Sequence, residues 1–191
     1  MSEIAKIFPT SLYIENNILS DDELQTLENL ILNTDCESGG FNWMSKIKNS
    51  LGTYNLNDDH NFHNLIDKVS RHVNLFNKEM GSEYNYSCQY SWFNIYEQGD
   101  YQEYHHHPNS TYSAVFFLKC DVNSSPLIFL NPIEPFDMHP IQKQTALNEL
   151  NFLTCKVFPV KNSLVIFRSY IKHAVPKQTS DEKRITVAFN F

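Results

Sequence analysis

Cysteine is sparse, and its spacing carries no motif. Cys36, Cys88, Cys120 and Cys155 lie far apart, with no Cys-x-x-Cys pair. That pattern argues against a zinc ribbon and a thioredoxin-like redox centre, and it fits reduced thiols in an intracellular, cytoplasmic protein. Long apolar runs are missing as well: nothing approaches the roughly 18 residues a membrane-spanning helix needs, so no membrane partner is expected. Met1 to Thr10 carries Glu3 and Lys6 and no apolar segment, which excludes a signal peptide there. Basic blocks are absent from a chain of net charge −7, so no nucleic-acid surface is expected. No His-Glu-x-x-His pattern occurs, which removes a common zinc-hydrolase arrangement. There is no internal repeat, low-complexity tract or linker, and residues 1–191 are expected to form one domain.

Aromatic residues, by contrast, are plentiful at 14%, which favours strands and a large packed interior over a helical bundle. Leu12 and Ile14 suggest a short entry strand. Ser20 followed by Glu23 is a capping box, and the helix it opens carries Leu24, Leu27, Leu30 and Ile31 on one face. Residues 34 to 60 read as loop with short extended pieces around Trp43. A second helix is expected from about Asn61 to Met80, with Phe62, Leu65, Ile66, Val69, Val73, Phe76 and Met80 as its apolar stripe. From Tyr84 the period changes to two. Strands are expected over 87–96, 112–120, 127–130, 152–160, 163–169 and 184–191. Helices followed by short strands predict an α+β, mainly β fold. The strands would pair antiparallel as a jelly roll (84–191) behind a helical and loop part (1–83). The connection from Asn131 to Asn151 is long enough to be a lid or binding loop.

Three consecutive histidines, His105, His106 and His107, stand between the Gln98-Gly99-Asp100 turn signal and the apolar run Ala114 to Leu118. Imidazole is the commonest metal ligand, and on extended backbone residues i and i+2 point the same way. His105 and His107 can therefore face one point, with His106 turned away. Such a pair needs a further ligand, and His173 follows the fifth strand as a lone histidine. Glu103 shares the parity of His105 and His107, and Asp137 lies in the long connection; both are carboxylate alternatives. On the last strand Arg184, Thr186, Ala188 and Asn190 share one face, and Ile185, Val187, Phe189 and Phe191 the other. An arginine on that small and polar face needs an anionic partner if buried, and a dicarboxylate suits a guanidinium. Trp92, Asn94 and Tyr96 share a face of an earlier strand, from which the Tyr96 phenol could reach the same carboxylate.

The order Tyr96-x-x-Gly99, His105-x-His107, His173, Arg184-x-Thr186 resembles the iron(II)- and 2-oxoglutarate-dependent dioxygenases. Within them it is similar to the oxygenase group with a His-x-His-Pro segment, here His105 to Pro108, followed by a strand such as Tyr112 to Leu118. The Lys6 to Thr10 opening, Asn131-Pro132 and Phe189-Asn190 also fit, so the resemblance covers most of the chain. It implies a double-stranded β-helix with flanking helices on one sheet. It also implies Fe(II) on His105, His107 and His173. The distal carboxylate of 2-oxoglutarate would lie on Arg184, with Thr186, Tyr96 and Asn94 as further binding residues. The implied reaction consumes molecular oxygen, releases succinate and carbon dioxide, and hydroxylates an unidentified prime substrate. Most of the superfamily has a carboxylate where this chain has His107. Three rivals stand beside this reading: a cupin-like three-histidine enzyme that does not use 2-oxoglutarate, a zinc hydrolase, and a non-catalytic jelly-roll binding module.

Overall fold

The computed structural model describes residues 8–36, 43–133, 148 and 151–191. Most of the 131–151 connection, including Asp137, lies outside the described residues, as do Lys6 and Ile7 of the opening motif.

Strand β1 (Leu12–Asn16) leads into helix α1 (Asp21–Asn33). The capping box forms as read: Ser20 N–H donates to Glu23 Oε2 at 2.7 Å, and Glu23 N–H to Ser20 Oγ at 3.3 Å. A two-residue strand β2 (Lys48–Asn49) precedes helix α2 (His60–Glu79). Asp59 caps α2 by accepting from Asn61 N–H at 2.9 Å. The other strands are β3 (Tyr90–Tyr96), β4 (Gln102–His105), β5 (Tyr112–Lys119), β6 (Leu127–Leu130), β7 (Thr154–Val157), β8 (Ser163–Arg168), β9 (His173–Val175) and β10 (Arg184–Asn190).

They form two antiparallel sheets, one ordered β1-β8-β5-β10-β3-β2 and the other β4-β9-β6-β7. This is the expected mainly-β jelly roll with flanking helices. The strand from 87 starts instead at Tyr90, because Cys88 O accepts from Asn57 Nδ2 at 2.9 Å rather than from a neighbouring strand. The segment expected over 152–160 is a strand only over Thr154–Val157. Strands β4 and β9 were not anticipated. Neither shows an alternation of its own; β4 is defined by its pairing with β9, and β9 by its pairing with β4 and β6.

The two faces of the six-stranded sheet have different tasks. One carries Phe93, Ile95, Phe116, Leu118, Leu164, Ile166, Ile185, Val187, Phe189 and Phe191, packed with Leu24, Leu27 and Ile31 of α1 and the α2 stripe from Phe62 to Phe76 in one buried cluster. Met80, expected in that stripe, is exposed instead, because it caps the C-terminus of α2 beyond the last helical residue. The other looks toward the smaller sheet across Tyr96, Phe117, Val165, Phe167, Leu127, Phe129 and Val175. The helices thus occupy the outside of one sheet and leave the space between the sheets for a site. No helix among the described residues is long and apolar enough to cross a membrane.

Glu23 also ties the helices together, through Lys68 Nζ at 3.0 Å. Its carboxyl is pulled down to about 2, first by the Ser20 backbone N–H and then by Lys68. A folded-state value below the unfolded one of about 4.3 stabilises the fold above that pH, and this contribution is lost as pH falls toward 2. In Glu23→Gln the loss of stability between about pH 4.3 and 2 is expected to be shallower than in the parent, as read from urea midpoints across that range.

Candidate active site

The β4–β9 ladder places His105, the last residue of β4, directly opposite His173, the first of β9. The chain turns beyond β4, and the His107 N–H donates to Ser169 O at 3.0 Å, which brings a third imidazole to the same place. One ligand atom from each of His105, His107 and His173 lies within 4.8 Å of the others. Ring centroids are 4.2 Å apart for His105 and His173, and 5.1 Å for His107 and His173, whose rings are parallel to within 4°. His106 is exposed and outside this group.

Hydrogen bonding fixes which nitrogens are available. His105 Nδ1 lies 2.8 Å from Glu103 O, and His173 Nδ1 lies 3.0 Å from Ile171 O. A carbonyl can only accept, so each Nδ1 carries the proton and each Nε2 keeps its lone pair. His107 Nε2 stands 3.3 Å from the unprotonated His173 Nε2, a spacing that a cation between them suits. Burial lowers all three pKa values. His107 falls to about 3, by burial first and then by the charge of His105; His105 is lowered and His173 well lowered, again chiefly by burial. Near neutral pH the three are uncharged imidazoles, the form that binds metal.

Glu103, a carboxylate alternative, does not join them. Its Oε1 accepts from the backbone N–H groups of Met44 and Ser45, at 2.7 and 2.8 Å.

Behind the histidines lies a cavity of about 380 Å³. Strands β3 and β10 build one wall, in a register that sets Arg184 beside Tyr96, Thr186 beside Asn94 and Ala188 beside Trp92. All six line the cavity, so the inward faces expected from the alternation are observed. Arg184 is 0% exposed, and its Nε, Nη1 and Nη2 have no hydrogen-bond partner among the described residues. The guanidinium carbon sits 4.7 Å from the Tyr96 ring centroid and 5.2 Å from that of Phe117. Aromatic faces stabilise the cation but offer no lone pairs in its plane. Three buried donor nitrogens without acceptors define a recess for an anion. Burial also raises the Tyr96 pKa, so its hydroxyl keeps its proton and can donate.

A cluster of neutral imidazoles, His173 buried and the other two half-buried, together with a buried guanidinium unpartnered among the described residues, is a site for a metal and an acidic co-ligand. Both halves fit iron(II) and 2-oxoglutarate, by ligand chemistry at one end and charge at the other. The profile of the family described as "Putative 2OG-Fe(II) oxygenase" matches residues 90–190, from β3 to the end of β10. The chain belongs to that family of iron(II)- and 2-oxoglutarate-dependent oxygenases. No curated protein matches the chain. Solved structures share the fold at low identity. A prolyl-4-hydroxylase from Pseudomonas putida is 13% identical with a TM-score of 0.64, covering 95% of this chain and 92% of that one. The collagen prolyl hydroxylase of Paramecium Bursaria Chlorella virus-1, solved with 2-oxoglutarate, is 15% identical with a TM-score of 0.59, covering 94% of each chain. HygX from Streptomyces hygroscopicus, solved with nickel and 2-oxoglutarate, is 10% identical with a TM-score of 0.63, covering 95% of this chain and 82% of that one. Family membership sets aside the cupin-like, hydrolase and binding-module rivals.

The sequence placed Trp92 and Asn190 on inward faces, but not which imidazole each lies beside, and it gave Trp43 no role at the metal end. Trp43 meets His105 edge-on at 4.9 Å, and Trp92 stacks on His107 at 5.5 Å. Asn190 lines the cavity with His107 and belongs to a hydrogen-bonded network. Ser113 Oγ donates to Asn190 Oδ1 at 3.1 Å and must therefore accept from Ser169 Oγ at 2.8 Å. The other two imidazoles are oriented by backbone carbonyls, and at His107 the Asn190 side chain is the group that opposes the effect of burial. Replacing a group that orients a metal-binding histidine commonly weakens binding by about 10–100-fold. Asn190→Leu is expected to lose nickel(II) affinity in that range and Asn190→Asp to retain it, measured by calorimetry.

Proposed function

We propose that His105, His107 and His173 hold the iron, that Arg184 holds the distal carboxylate of 2-oxoglutarate, and that the enzyme hydroxylates a C–H bond of a second substrate. The observation that carries this reading is the fully buried Arg184 guanidinium without an acceptor among the described residues, on the cavity that the three histidines also line. When bound, iron(II) and 2-oxoglutarate supply the oxidising chemistry: one oxygen atom of O₂ leaves in succinate, formed with carbon dioxide, and the other becomes the hydroxyl of the product.

The protein's part is placement and exclusion of water. Three neutral imidazoles leave the metal its full dipositive charge, which strengthens its attraction for a dianion relative to a ligand set containing a carboxylate. Thr186, Asn94 and Tyr96 line the route between the metal ligands and Arg184 and supply polar groups for the co-substrate. Arg184 is closed off from bulk solvent, so a carboxylate that pairs with it does so in a low-dielectric surrounding where the attraction is strong. Trp43 and Trp92 shield two of the imidazoles and confine the place where the prime substrate must enter.

The helical part, 1–83, buttresses the core, 84–191, and the two act as one domain. All four cysteines are free, which suits a reducing compartment, and we place the enzyme in the cytoplasm. The prime substrate is a peptide or a small molecule rather than a nucleic acid, given the net charge of −7.

Nickel(II) with 2-oxoglutarate is expected to raise the melting temperature, because a ligand that binds only the folded state stabilises it. Arg184→Ala is expected to keep the rise due to nickel, lose the rise due to 2-oxoglutarate, and weaken co-substrate binding by about a hundredfold or more. Unimpaired binding of 2-oxoglutarate by Arg184→Ala would remove Arg184 from the site. His107→Asp, which keeps a ligand atom, is expected to retain succinate release with iron, and His107→Ala to abolish it.

A further inference from the structure

Residues 43–49 run extended between the two sheets. Alternate residues, Trp43, Ser45, Ile47 and Asn49, line the cavity, while Met44, Lys46 and Lys48 are exposed. At its far end this strap is held by the six-stranded sheet: Lys48 and Asn49 pair with Ile95 and Asn94, and Ser50 N–H donates to Phe93 O at 3.1 Å. At its near end it reaches β4, the edge of the other sheet. There the ties are the Glu103 carboxylate, which accepts from Met44 and Ser45 N–H, and the Ser45 hydroxyl, which donates to Tyr101 O.

What the strap covers gives those ties a consequence. Trp43 lies against His105, at the metal end. Ile47 belongs to the same apolar cluster as Tyr96 and Phe117, the two rings beside the Arg184 guanidinium. One segment therefore roofs both ends of the co-substrate's place. Backbone N–H bonds to a carboxylate are charge-assisted and stronger than neutral ones, so a single side chain supplies much of the near-end closure.

We propose that Glu103 is a positioning residue whose carboxylate latches the 43–49 strap over the metal ligands and the Arg184 recess, and so sets how slowly 2-oxoglutarate leaves. The part concerning release rests on the reading that Arg184 holds 2-oxoglutarate. Glu103 has a second connection to the site, through its backbone carbonyl on His105 Nδ1. Substitution of the side chain leaves that bond in place, which makes the latch separable from metal binding.

The chain has two tryptophans, so in a Trp92→Phe background Trp43 is the sole indole and reports on the strap. In that background Glu103→Leu is expected to shift Trp43 emission to the red and expose it to acrylamide quenching. Release of radiolabelled 2-oxoglutarate from the nickel-loaded protein, chased with unlabelled compound, is expected to quicken by about tenfold, with nickel affinity unchanged. Glu103→Gln, an acceptor of the same shape, is expected to restore most of the slow release. Ser45→Ala, which removes the hydroxyl bond to Tyr101, is expected to move emission and release in the same direction as Glu103→Leu, and it provides the test if that variant fails to fold. Unchanged Trp43 emission and release in these variants would overturn the proposal. So would a loss of nickel affinity matching the loss of 2-oxoglutarate, which would place Glu103's role on the metal. If the parent protein bound no 2-oxoglutarate, the co-substrate reading and the effect on release would both fall, while Trp43 emission would still decide whether Glu103 holds the strap.

Discussion

The alternation of β10, lying between β3 and β5, is the constraint on which the rest of the structure depends. Ile185, Val187 and Phe189 are held in the core beneath the helices, and this forces Arg184, Thr186, Ala188 and Asn190 into the cavity. A slip of one residue would exchange the two sets, placing the guanidinium among the buried side chains of α1 and α2. The apolar core beneath the helices therefore specifies the polar site between the sheets, and packing against α1 and α2 contributes to placing a charge they do not touch.

How much of this could be read from the chain follows from the same periodicity. Long strands declare both faces, which is why the Arg184 row and the Trp92, Asn94 and Tyr96 row were visible, and why the two helices with their capping box were too. Strands β4 and β9 carry no such pattern. They are defined by pairing, β4 with β9 and β9 also with β6, and the meeting of His105 with His173 is a fact of the β4–β9 ladder rather than of local sequence. The role of Glu103 was hidden for a related reason. Its parity matched that of the metal-binding pair, but its carboxylate is engaged by backbone groups from a segment with little local pattern, and side-chain bonds to a distant backbone leave no periodic trace. Asn190 was legible as an inward residue, though not as a member of a network with Ser113 of β5 and Ser169 in the turn after β8.

The electrostatics of the cavity oppose those of the whole chain. The protein is acidic, yet the described residues lining the cavity include one guanidinium and several imidazoles and no carboxylate. A buried, unpaired arginine destabilises the fold, and that cost is met in advance by the apolar core. In return the site is already arranged for an anion, so little reorganisation remains to be done on binding.

The family match begins at residue 90, and the strap over residues 43–49 falls before it. The candidate metal ligands, the arginine and the hydrogen-bonded supports of the histidines all belong to the matched part, while a wall of the cavity does not. The matched stretch and the stretch before it thus meet around one cavity, the first supplying the imidazoles and the arginine and the second a wall. The wall is tied to the matched part through the Glu103 carboxylate, which accepts from the backbone of Met44 and Ser45.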